Sequence, residues 1–482
     1  MARLRHLVVV LPGIGGSELA GPEPAVEQVR YGLTASALVG AVASPARLDL
    51  ARSPRLEPVK LVKDLSILPP LLTLPGYQRI RLHLYNAFPD AVIDTYRPGK
   101  VDPRTDVLLV PYDFRRSVAD AAIRVHEAVE EALSHRLSRD DRPVIVLAHS
   151  MGGLVARYWV GVLEGWRRCR ALITLGTPAR GAPKALDWLI NGAGAGRLRD
   201  PRMTRVIRGW PSMYELLPQY PAVWDAEAAA PMELTTLPAS MVDADPGLAA
   251  YAETFAGMAA DARAVHERLR DGWSALEAAQ RPDVVPYFAR GHGTPNLATV
   301  DDGRLTVSKE DPPWRGNAGW AGDGTVPALC AIPVELGESP KDWRPVAARH
   351  GPMGSIADPV DVLRSYAGEP IPTRGGELPD RPWLGLDLED FAVAGEPEPL
   401  TVNVLPAPLA ADRVRMSVTP IGGGPRQVRD LLPDPNCPAG TRWRGELPPL
   451  PAGSYDVTVE AGVDLTAQAQ VVVLDPQVGE TR

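Results

Sequence analysis

Five short and almost continuous apolar runs constrain this chain most strongly, because each is typical of a β-strand that is buried on both faces. They occupy residues 6–11 (HLVVVL), 106–111 (DVLLVP), 143–148 (PVIVLA), 171–175 (ALITL) and 284–289 (VVPYFA). Apolar residues at helical spacing separate the second run from the third, and a further predicted helix follows the third. Strands that alternate with helices predict a parallel sheet of the α/β class.

Two long segments interrupt this alternation. Residues 18–90 and 179–282 do not follow the strand–helix pattern, and we interpret both as cap or lid insertions on the rim of the sheet. The second ends in a predicted helix over about 248–280, which we assign to the core of the cap because its charged face mixes Asp and Arg. The run LSILPPLLTLP (residues 65–75) has two interpretations: a lid loop that contacts lipid, or leucines packed beneath the cap.

The composition of the chain and the spacing of its apolar residues change toward its end. Residues 368–397 are rich in proline, glycine and acidic residues, which predicts a linker. Over residues 398–476 apolar residues recur at every second position, as in 414–418, with turn residues between the runs. This period predicts a small all-β sandwich, immunoglobulin-like or prealbumin-like. The predicted division is therefore an α/β domain over 1–367, a linker and a sandwich.

The third apolar run leads directly into A-H-S-M-G-G (residues 148–153) and then into a predicted helix. A strand, a turn containing x-x-Ser-x-Gly and a helix are typical of the nucleophile elbow of α/β-hydrolases, which exposes the serine hydroxyl above the sheet. Gly152 and Gly153 would let the helix approach the strand closely, and we expect His149 to point away from the hydroxyl. Ser150 is the candidate nucleophile; the alternative is a serine at an ordinary strand-to-helix turn.

A nucleophilic serine needs a histidine base and an acid, which in this fold follow it in the order acid, then histidine. Asp323 in A-G-D-G-T-V-P is the candidate acid, because the glycines on both sides predict a tight turn. Of the eight histidines, only His350 lies beyond Asp323, so it is the candidate base. His292 is the alternative base and Asp358 the alternative acid, although each stands in the less favourable order.

The first apolar run ends in the glycine-rich turn L-P-G-I-G-G-S (residues 11–17), which has two interpretations. A dinucleotide-binding loop would need G-x-G-x-x-G and an acidic residue about twenty positions on, and the sequence has neither. The alternative is one half of an oxyanion hole, in which the N–H of Ile14 joins the N–H of Met151. We favour the second interpretation and expect no cofactor.

Five motifs occur in a fixed order: P-G-x-x-G-S at 12–17, P-Y-D-F-R at 111–115, A-H-S-M-G-G at 148–153, L-G-T-P at 175–178 and G-D-G-T-V-P at 322–327. In this order the chain resembles the lecithin:cholesterol acyltransferase family of α/β-hydrolases, which includes phospholipid:acyl acceptor acyltransferases and lysosomal-type phospholipases. The resemblance spans about residues 6–365. It leaves the predicted sandwich outside.

The resemblance implies an α/β-hydrolase fold with cap or lid insertions, to which this chain adds a small C-terminal all-β sandwich. It implies that Ser150 is the nucleophile, Asp323 the acid and His350 the base of a serine hydrolase. The amides of Ile14 and Met151 would then form the oxyanion hole. Three further residues would be structural elements near the site: Gly13, Asp113 and Arg115. Phenylalanine stands in P-Y-D-F-R where the family has tryptophan.

Composition excludes several classes of function. The net charge is −8 and the arginines are scattered, so no basic stripe indicates a nucleic-acid partner. The three cysteines lie far apart, which excludes a disulfide framework and a C-x-x-C metal site, and we expect no metal. The first apolar run is shorter than the apolar part of a signal peptide, and no run approaches the ~20 residues of a membrane span. We therefore expect a cytoplasmic protein.

Three hypotheses about function remain. The first is a serine-dependent lipid acyl hydrolase, a phospholipase or lipase with possible O-acyltransferase activity, that acts on a lipid or phospholipid ester and touches the membrane peripherally through its lid. The second is a carboxylesterase for small soluble esters. The third is a hydrolase-fold adaptor or effector whose sandwich binds a protein partner. Hydrolase and acyltransferase use the same triad, so the triad residues do not separate them.

Overall fold

A seven-stranded parallel sheet, here called the main sheet, forms the centre of the computed structural model. The structure describes residues 3–21, 29–31, 45–62, 66–68, 72–74, 77–136, 141–194, 199–315, 321–336, 343–369, 383–405, 413–462 and 465–475. In spatial order the strands of the main sheet are Val92–Thr95, Thr105–Leu109, Leu7–Leu11, Val144–His149, Cys169–Leu175, Asp283–Ala289 and Arg344–Val346. The five apolar runs are its five central strands, which confirms the predicted α/β class.

The two edge strands of the main sheet were not predicted. Val92–Thr95 is half-buried along its whole length and has the mixed sequence VIDT, while Arg344–Val346 has only three residues. An edge strand packs on fewer neighbours than a central one, so its sequence carries a weaker apolar signal.

Helices cover both faces of the main sheet. On one face Val118–Ser134, Met151–Gly161 and Ala252–Ser274 share a core with alternate residues of the central strands, such as Val9 and Val146. On the other face, Gln78–Ala87 and Asp358–Tyr366 pack on the intervening residues. Successive side chains of a strand point to opposite sides, so each strand contributes apolar residues to the cores on both faces of the main sheet.

Two of these helices lie inside the segments that were interpreted as cap or lid insertions, and for these helices that interpretation is wrong. Gln78–Ala87 lies within the segment 18–90, yet Ile80 and Leu84 are buried in the core of the main sheet. Ala252–Ser274 lies within 179–282, yet it packs against Met151–Gly161, where Gly161 and Gly272 let the two backbones meet. Both helices are layers of the α/β unit rather than parts of a cap.

The remaining described elements of the α/β region are short helices, 3-10 turns and small sheets. Smaller helices are Pro183–Ile190, Pro201–Ile207, Pro211–Tyr214, Ala239–Ala244, Pro246–Ala249 and His350–Met353, and single 3-10 turns are Pro45–Leu48, Gly165–Arg167, Pro313–Arg315, Ala328–Ala331 and Val334–Leu336. Smaller sheets join Val29–Tyr31, Ser17–Ala20 and Glu57–Leu61; Ser66–Leu68 and Leu72–Leu74; and Ala230–Met232, Val223–Asp225, Leu297–Asp301 and Arg304–Ser308. Among the described helices, none is long and apolar enough to cross a bilayer.

The segment proposed as a lid loop, residues 65–75, is described only in part. Its strands Ser66–Leu68 and Leu72–Leu74 pair as an antiparallel hairpin, and Leu72–Leu74 lies close to the helix His350–Met353. The leucine side chains on which the two interpretations depend lie outside the described residues.

The C-terminal region forms one curled, all-β sheet of eight strands, here called the C-terminal sheet. Its order is Trp383–Asp387, Glu398–Leu405, Arg442–Leu447, Gln427–Pro433, Val414–Pro420, Gly453–Ala461, Leu465–Leu474 and Phe391–Val393. Gln427–Pro433 pairs with Val414–Pro420 through its first part and with Arg442–Leu447 through its end, so the sheet folds around a single apolar core. Period-two burial, as predicted, builds this core.

The predicted linker over 368–397 is wrong for its second half. Trp383–Asp387 and Phe391–Val393 are strands of the C-terminal sheet, and Leu384, Leu386 and Leu388 are buried in its core. The alternation of these leucines is a strand pattern, which the surrounding proline, glycine and acidic residues obscured.

Candidate active site

Ser150 lies at a sharp turn between the strand Val144–His149 and the helix Met151–Gly161. Its backbone has φ 53° and ψ −128°, a conformation that costs a non-glycine residue on the order of 1–3 kcal/mol. The glycines that follow are required for close packing: a Cβ on Gly152 would lie 2.5 Å from the carbonyl oxygen of Pro12, and one on Gly153 would lie 1.9 Å from Oγ1 of Thr177. The strand and the helix can approach each other this closely at Ser150 because no side chain is present at positions 152 and 153.

The structure brings Ser150, His350 and Asp323 into one chain of hydrogen bonds. Ser150 Oγ lies 2.9 Å from Nε2 of His350, and Nδ1 of His350 lies 2.8 Å from Oδ2 of Asp323. An ionised carboxylate only accepts, so Nδ1 carries the proton and Nε2 of the neutral ring accepts from the serine hydroxyl. All three residues are buried, with exposures of 4% or less.

The turn around Asp323 is held by backbone donors. Oδ1 of Asp323 accepts from the N–H groups of Thr325 (2.9 Å) and Val326 (2.7 Å). The hydroxyl of Thr294 accepts from the glycine N–H groups on both sides of Asp323, each at 2.9 Å. Burial alone would raise the pKa of Asp323, but His350 and the two backbone donors outweigh burial and lower it. The carboxylate is therefore ionised at neutral pH.

His350 is the first residue of the helix His350–Met353, and its N–H donates to the carbonyl oxygen of Asp323 at 2.8 Å. Gly176, in the L-G-T-P motif, lies beside both side chains with φ 56°. A Cβ at Gly176 would stand 2.9 Å from Oδ2 of Asp323 and 3.2 Å from Nδ1 of His350. The end of the neighbouring strand thus leaves room for the imidazole–carboxylate contact only because this residue is glycine.

A second chain of hydrogen bonds, which sequence reasoning missed, runs behind Ser150. The N–H of Gly13 donates to the hydroxyl of Tyr77 at 2.7 Å, and that hydroxyl lies 2.9 Å from Nδ1 of His149. Nε2 of His149 lies 3.0 Å from the carbonyl oxygen of His350. Burial lowers the pKa of His149 to about 3, so the ring is neutral. The carbonyl can only accept, so Nε2 donates and Nδ1 accepts from Tyr77.

The loop after the first strand packs directly on the turn of Ser150. A Cβ on Gly13 would lie 2.8 Å from Cβ of Ser150, and the hydroxyl of Tyr112 donates to the carbonyl oxygen of Pro12 at 2.6 Å. Within the described residues, neither the N–H of Ile14 nor that of Met151 has a hydrogen-bond acceptor. Two backbone donors near Ser150, one in the loop and one at the start of the helix Met151–Gly161, thus have no acceptor among the described residues.

Asp113 and Arg115 form a two-pronged ion pair, with Nε and Nη2 of Arg115 donating to the two carboxylate oxygens at 2.8 and 2.7 Å. Arg115 is fully buried and also donates to the carbonyl oxygen of Ser53 at 2.9 Å. Between them in sequence, Phe114 packs edge-on against Trp210. The pair thus joins the loop after Thr105–Leu109 to the segment around Ser53.

The alternative base and the alternative acid make other contacts. His292 is fully buried, and its Nδ1 accepts from the N–H of Leu386 in the C-terminal sheet at 2.9 Å. Asp358 begins the helix Asp358–Tyr366, and the described carboxylate that contacts the ring of His350 is that of Asp323. His292 supports the backbone next to Asp323 through a bridge to that turn.

A small cavity of about 30 Å³ adjoins Ser150 and His350. Ligand pockets for small molecules usually have on the order of 300–1,000 Å³, so this cavity is too small for a substrate of that size. Its lining is mainly apolar: Ile14, Pro178, Ala182, Ala185, Trp188, Met213, Leu216 and Val326, with Lys184 and Thr325 as polar members. The helices Pro183–Ile190 and Pro211–Tyr214 supply much of that wall.

Fold and site together define a parallel α/β protein with a buried Ser–His–Asp hydrogen-bond chain. Residues 83–277 match the model of the lecithin:cholesterol acyltransferase family, and this match supports membership of the chain in that family. The matched segment contains Ser150 and ends before Asp323 and His350. The match to this family suggests an enzyme with lipid acyltransferase or phospholipase type activity.

The other two comparisons add little. No curated protein matches the chain. Two solved structures of superoxide reductase (neelaredoxin) from Ignicoccus hospitalis are each 12% identical, over 19% of this chain and 80% of that chain, with a TM-score of 0.16. A likeness at this TM-score carries no argument about the present chain.

Proposed function

We propose that this chain is a serine hydrolase of the α/β-hydrolase fold that acts on lipid esters through an acyl-enzyme on Ser150, as a phospholipase or lipase or as an O-acyltransferase. The observation that carries the proposal is the pair of contacts of 2.9 Å from Ser150 to His350 and 2.8 Å from His350 to Asp323. Further support comes from the positive φ of Ser150, the nucleophile-elbow conformation.

In the proposed first step, Nε2 of His350 takes the hydroxyl proton as Oγ of Ser150 attacks the ester carbonyl. The C–O bond to the alcohol breaks, the alcohol leaves with the proton from His350, and an acyl-enzyme remains. Asp323 orients the ring and stabilises its charged form. In the second step water or another alcohol attacks the acyl carbon and its proton passes to His350. The bond between the acyl carbon and Oγ of Ser150 then breaks, Oγ takes the proton from His350, and a free acid or a new ester leaves.

The negative charge that develops on the carbonyl oxygen needs donors, and we assign this role to the N–H groups of Ile14 and Met151. The absence of another acceptor for either group in the described part of the chain supports the assignment. Met151 is also the first residue of a helix, whose N-terminal end favours negative charge. Such a donor contributes on the order of 10²–10³ in rate.

Two features favour a lipid as the substrate. The wall beside Ser150 is apolar, which suits an acyl chain, and the family match suggests lipid chemistry. Because the cavity holds only about 30 Å³, the wall formed by Pro183–Ile190 and Pro211–Tyr214 must move before an ester of lipid size can enter.

The proposal is tested with a fluorophosphonate probe, which reacts with an activated serine. We expect wild type to be labelled on Ser150 and Ser150→Ala to stay unlabelled while it unfolds at a similar temperature. The matched control is Ser134→Ala, which removes an exposed hydroxyl whose contact is local to its own helix, and which should be labelled like wild type. Equal labelling of wild type and Ser150→Ala would overturn the proposal.

The substrate class is tested in two further comparisons. Short-chain nitrophenyl esters and phospholipid vesicles separate an esterase from a lipase, since each enzyme turns over one of them much faster. Lipid analysis of membranes incubated with wild type and with Ser150→Ala identifies the bond that is cleaved. A new acylated alcohol in that analysis indicates acyl transfer, and a free fatty acid indicates hydrolysis.

A further inference from the structure

The C-terminal sheet reaches the surroundings of the catalytic histidine through one carboxylate, that of Asp390. This residue lies between the strands Trp383–Asp387 and Phe391–Val393. Its Oδ1 accepts from Nη2 of Arg349 at 2.9 Å, and its Oδ2 accepts from Nζ of Lys184 at 2.8 Å. Each carboxylate oxygen therefore holds a cation from a different element of the α/β region.

Arg349 directly precedes His350, so its position fixes where the helix of the histidine begins. Its side chain is only 5% exposed and donates to the carbonyl oxygen of Leu388 as well as to Asp390. Its guanidinium also lies against the turn of the candidate acid, since a Cβ on Gly324 would stand 2.7 Å from Nη2 of Arg349. A single buried side chain thus contacts the acid turn and the C-terminal sheet.

Lys184 connects the same carboxylate to the cavity beside Ser150. The residue lies in the cavity wall, and its Nζ lies 3.4 Å from Oγ1 of Thr325, two residues after Asp323. Burial alone would raise the pKa of Asp390, but Lys184 and Arg349 outweigh burial and hold it at about 2. Asp390 is therefore ionised at neutral pH and binds both cations.

A separate contact supports the acid turn from the same sheet. The N–H of Leu386 donates to Nδ1 of His292 at 2.9 Å, and the carbonyl oxygen of Leu386 accepts from the N–H of Gly293 at 3.1 Å. The backbones touch because both partners at the next contact are glycine: a Cβ on Gly385 would lie 2.1 Å from the carbonyl oxygen of Gly291. The loop 291–294 in turn bonds to the turn of Asp323.

We propose that Asp390 is a positioning residue for His350, which acts through Arg349 and Lys184, and that the C-terminal sheet thereby completes the active site. The inference rests on the proposed function of Ser150 and His350. It concerns the rate of the chemical step: without the carboxylate, Arg349 and Lys184 lose their anionic partner and the start of the histidine helix shifts. Small displacements of a catalytic group lower rates by as much as about 100-fold.

The test measures the reaction of Ser150 with the fluorophosphonate probe over a range of probe concentrations. Asp390→Asn keeps the shape and removes the charge, and we expect its maximal labelling rate, kinact, to fall roughly 10- to 100-fold while KI changes little. Asp390→Glu keeps the charge and should retain more of the rate than Asp390→Asn. Titration of the labelled sites gives the rate per competent molecule, which separates positioning from a loss of folded protein.

The control is Asp456→Asn. Asp456 also joins the C-terminal sheet to the α/β region, through Arg79 at 3.2 Å, but it contacts no residue of the proposed site. Its kinact should equal that of wild type. A kinact of Asp390→Asn within twofold of wild type would overturn the inference while wild-type labelling upholds the proposed function. If wild type is not labelled on Ser150, the proposed function is wrong and this inference falls with it.

Discussion

The hydroxyl of Tyr77 lies 2.9 Å from Nδ1 of His149, and through this contact the loop after the first strand is joined to the backbone of His350. On one side the hydroxyl accepts from the N–H of Gly13, and on the other side His149 donates to the carbonyl oxygen of His350. Tyr77 and His149 together therefore connect the proposed oxyanion loop to the backbone of the proposed base.

Tyr77→Phe is expected to lower kcat roughly tenfold with little change in KM, because Gly13 loses its acceptor and the oxyanion loop loses one of the hydrogen bonds that hold it. The buried donor and acceptor left unpaired should also lower the free energy of unfolding by about 1–3 kcal/mol. Ester hydrolysis and urea unfolding measure the two effects. The control is Tyr85→Phe, since Tyr85 is 56% exposed. An unchanged kcat in Tyr77→Phe would contradict the role assigned to this hydroxyl.

Gly153→Ala is expected to destabilise the protein by roughly 3 kcal/mol or to prevent soluble expression, because the added Cβ would lie 1.9 Å from Oγ1 of Thr177. Urea unfolding gives the change in free energy. The matched control is Gly257→Ala in the helix Ala252–Ser274, where a Cβ meets no atom within 4 Å. Alanine is the better helix former, so the control should gain about 0.5–1 kcal/mol. Equal stabilities of the two variants would contradict the close packing under Ser150.

Asp323→Asn is expected to lower kcat roughly 10³- to 10⁴-fold, because the amide no longer fixes the proton on Nδ1 of His350. Steady-state ester hydrolysis at neutral pH measures the effect. Asp358→Asn is the control, because Asp358 is the alternative acid and begins a helix away from this contact. If Asp358→Asn loses activity and Asp323→Asn keeps it, the assignment of the acid is wrong.

The ionisation of Glu398 should make the stability of the C-terminal sheet depend on pH, and the direction of that dependence follows from its pKa. Burial, together with the nearby charges of Glu389 and Glu396, raises the pKa of Glu398 to about 7 against the opposing effect of Lys309. A raised pKa means that the stabilising effect of the protonated form is complete below pH 4.5 and is lost as the pH rises through about 7.

Glu398→Gln stays neutral at every pH, so it should match wild type at pH 4 and exceed it in stability at pH 8. For a half-buried group screened by solvent, we expect a difference of about 1 kcal/mol between the two pH values. Urea unfolding at both pH values measures it. Glu446→Gln, at an exposed position on the neighbouring strand, should show no such change between pH 4 and pH 8. The same response in both variants would rule out a special environment for Glu398.

The features that sequence reasoning found are those whose cause is local. The central strands are buried on both faces, so their apolar runs, such as residues 143–148, are unmistakable. Ser150, Asp323 and His350 were predicted to act together because chain order and turn residues leave few alternatives, and the structure brings their side chains into contact. Their chemical roles remain predictions.

The features that it missed depend on contacts between distant residues. Nothing near Tyr77 indicates that its hydroxyl meets His149, 72 positions away. The ion pair of Arg349 with Asp390 depends on how the C-terminal sheet docks, which no periodicity encodes. The composition around the strand Trp383–Asp387 predicts a linker, and the alternation of its leucines is too short a signal to outweigh that composition. Composition describes a segment in isolation, whereas this strand forms by pairing with Glu398–Leu405.

The small volume of the cavity beside Ser150 bears on what becomes of an acyl group once it is attached. About 30 Å³ admits at most a few water molecules, because a single ordered water needs about 10–15 Å³. If the wall closed again after the alcohol had left, few water molecules could reach the acyl-enzyme. In that case the moment at which the wall opens again, rather than the identity of the three side chains, would set the ratio of free acid to transferred ester.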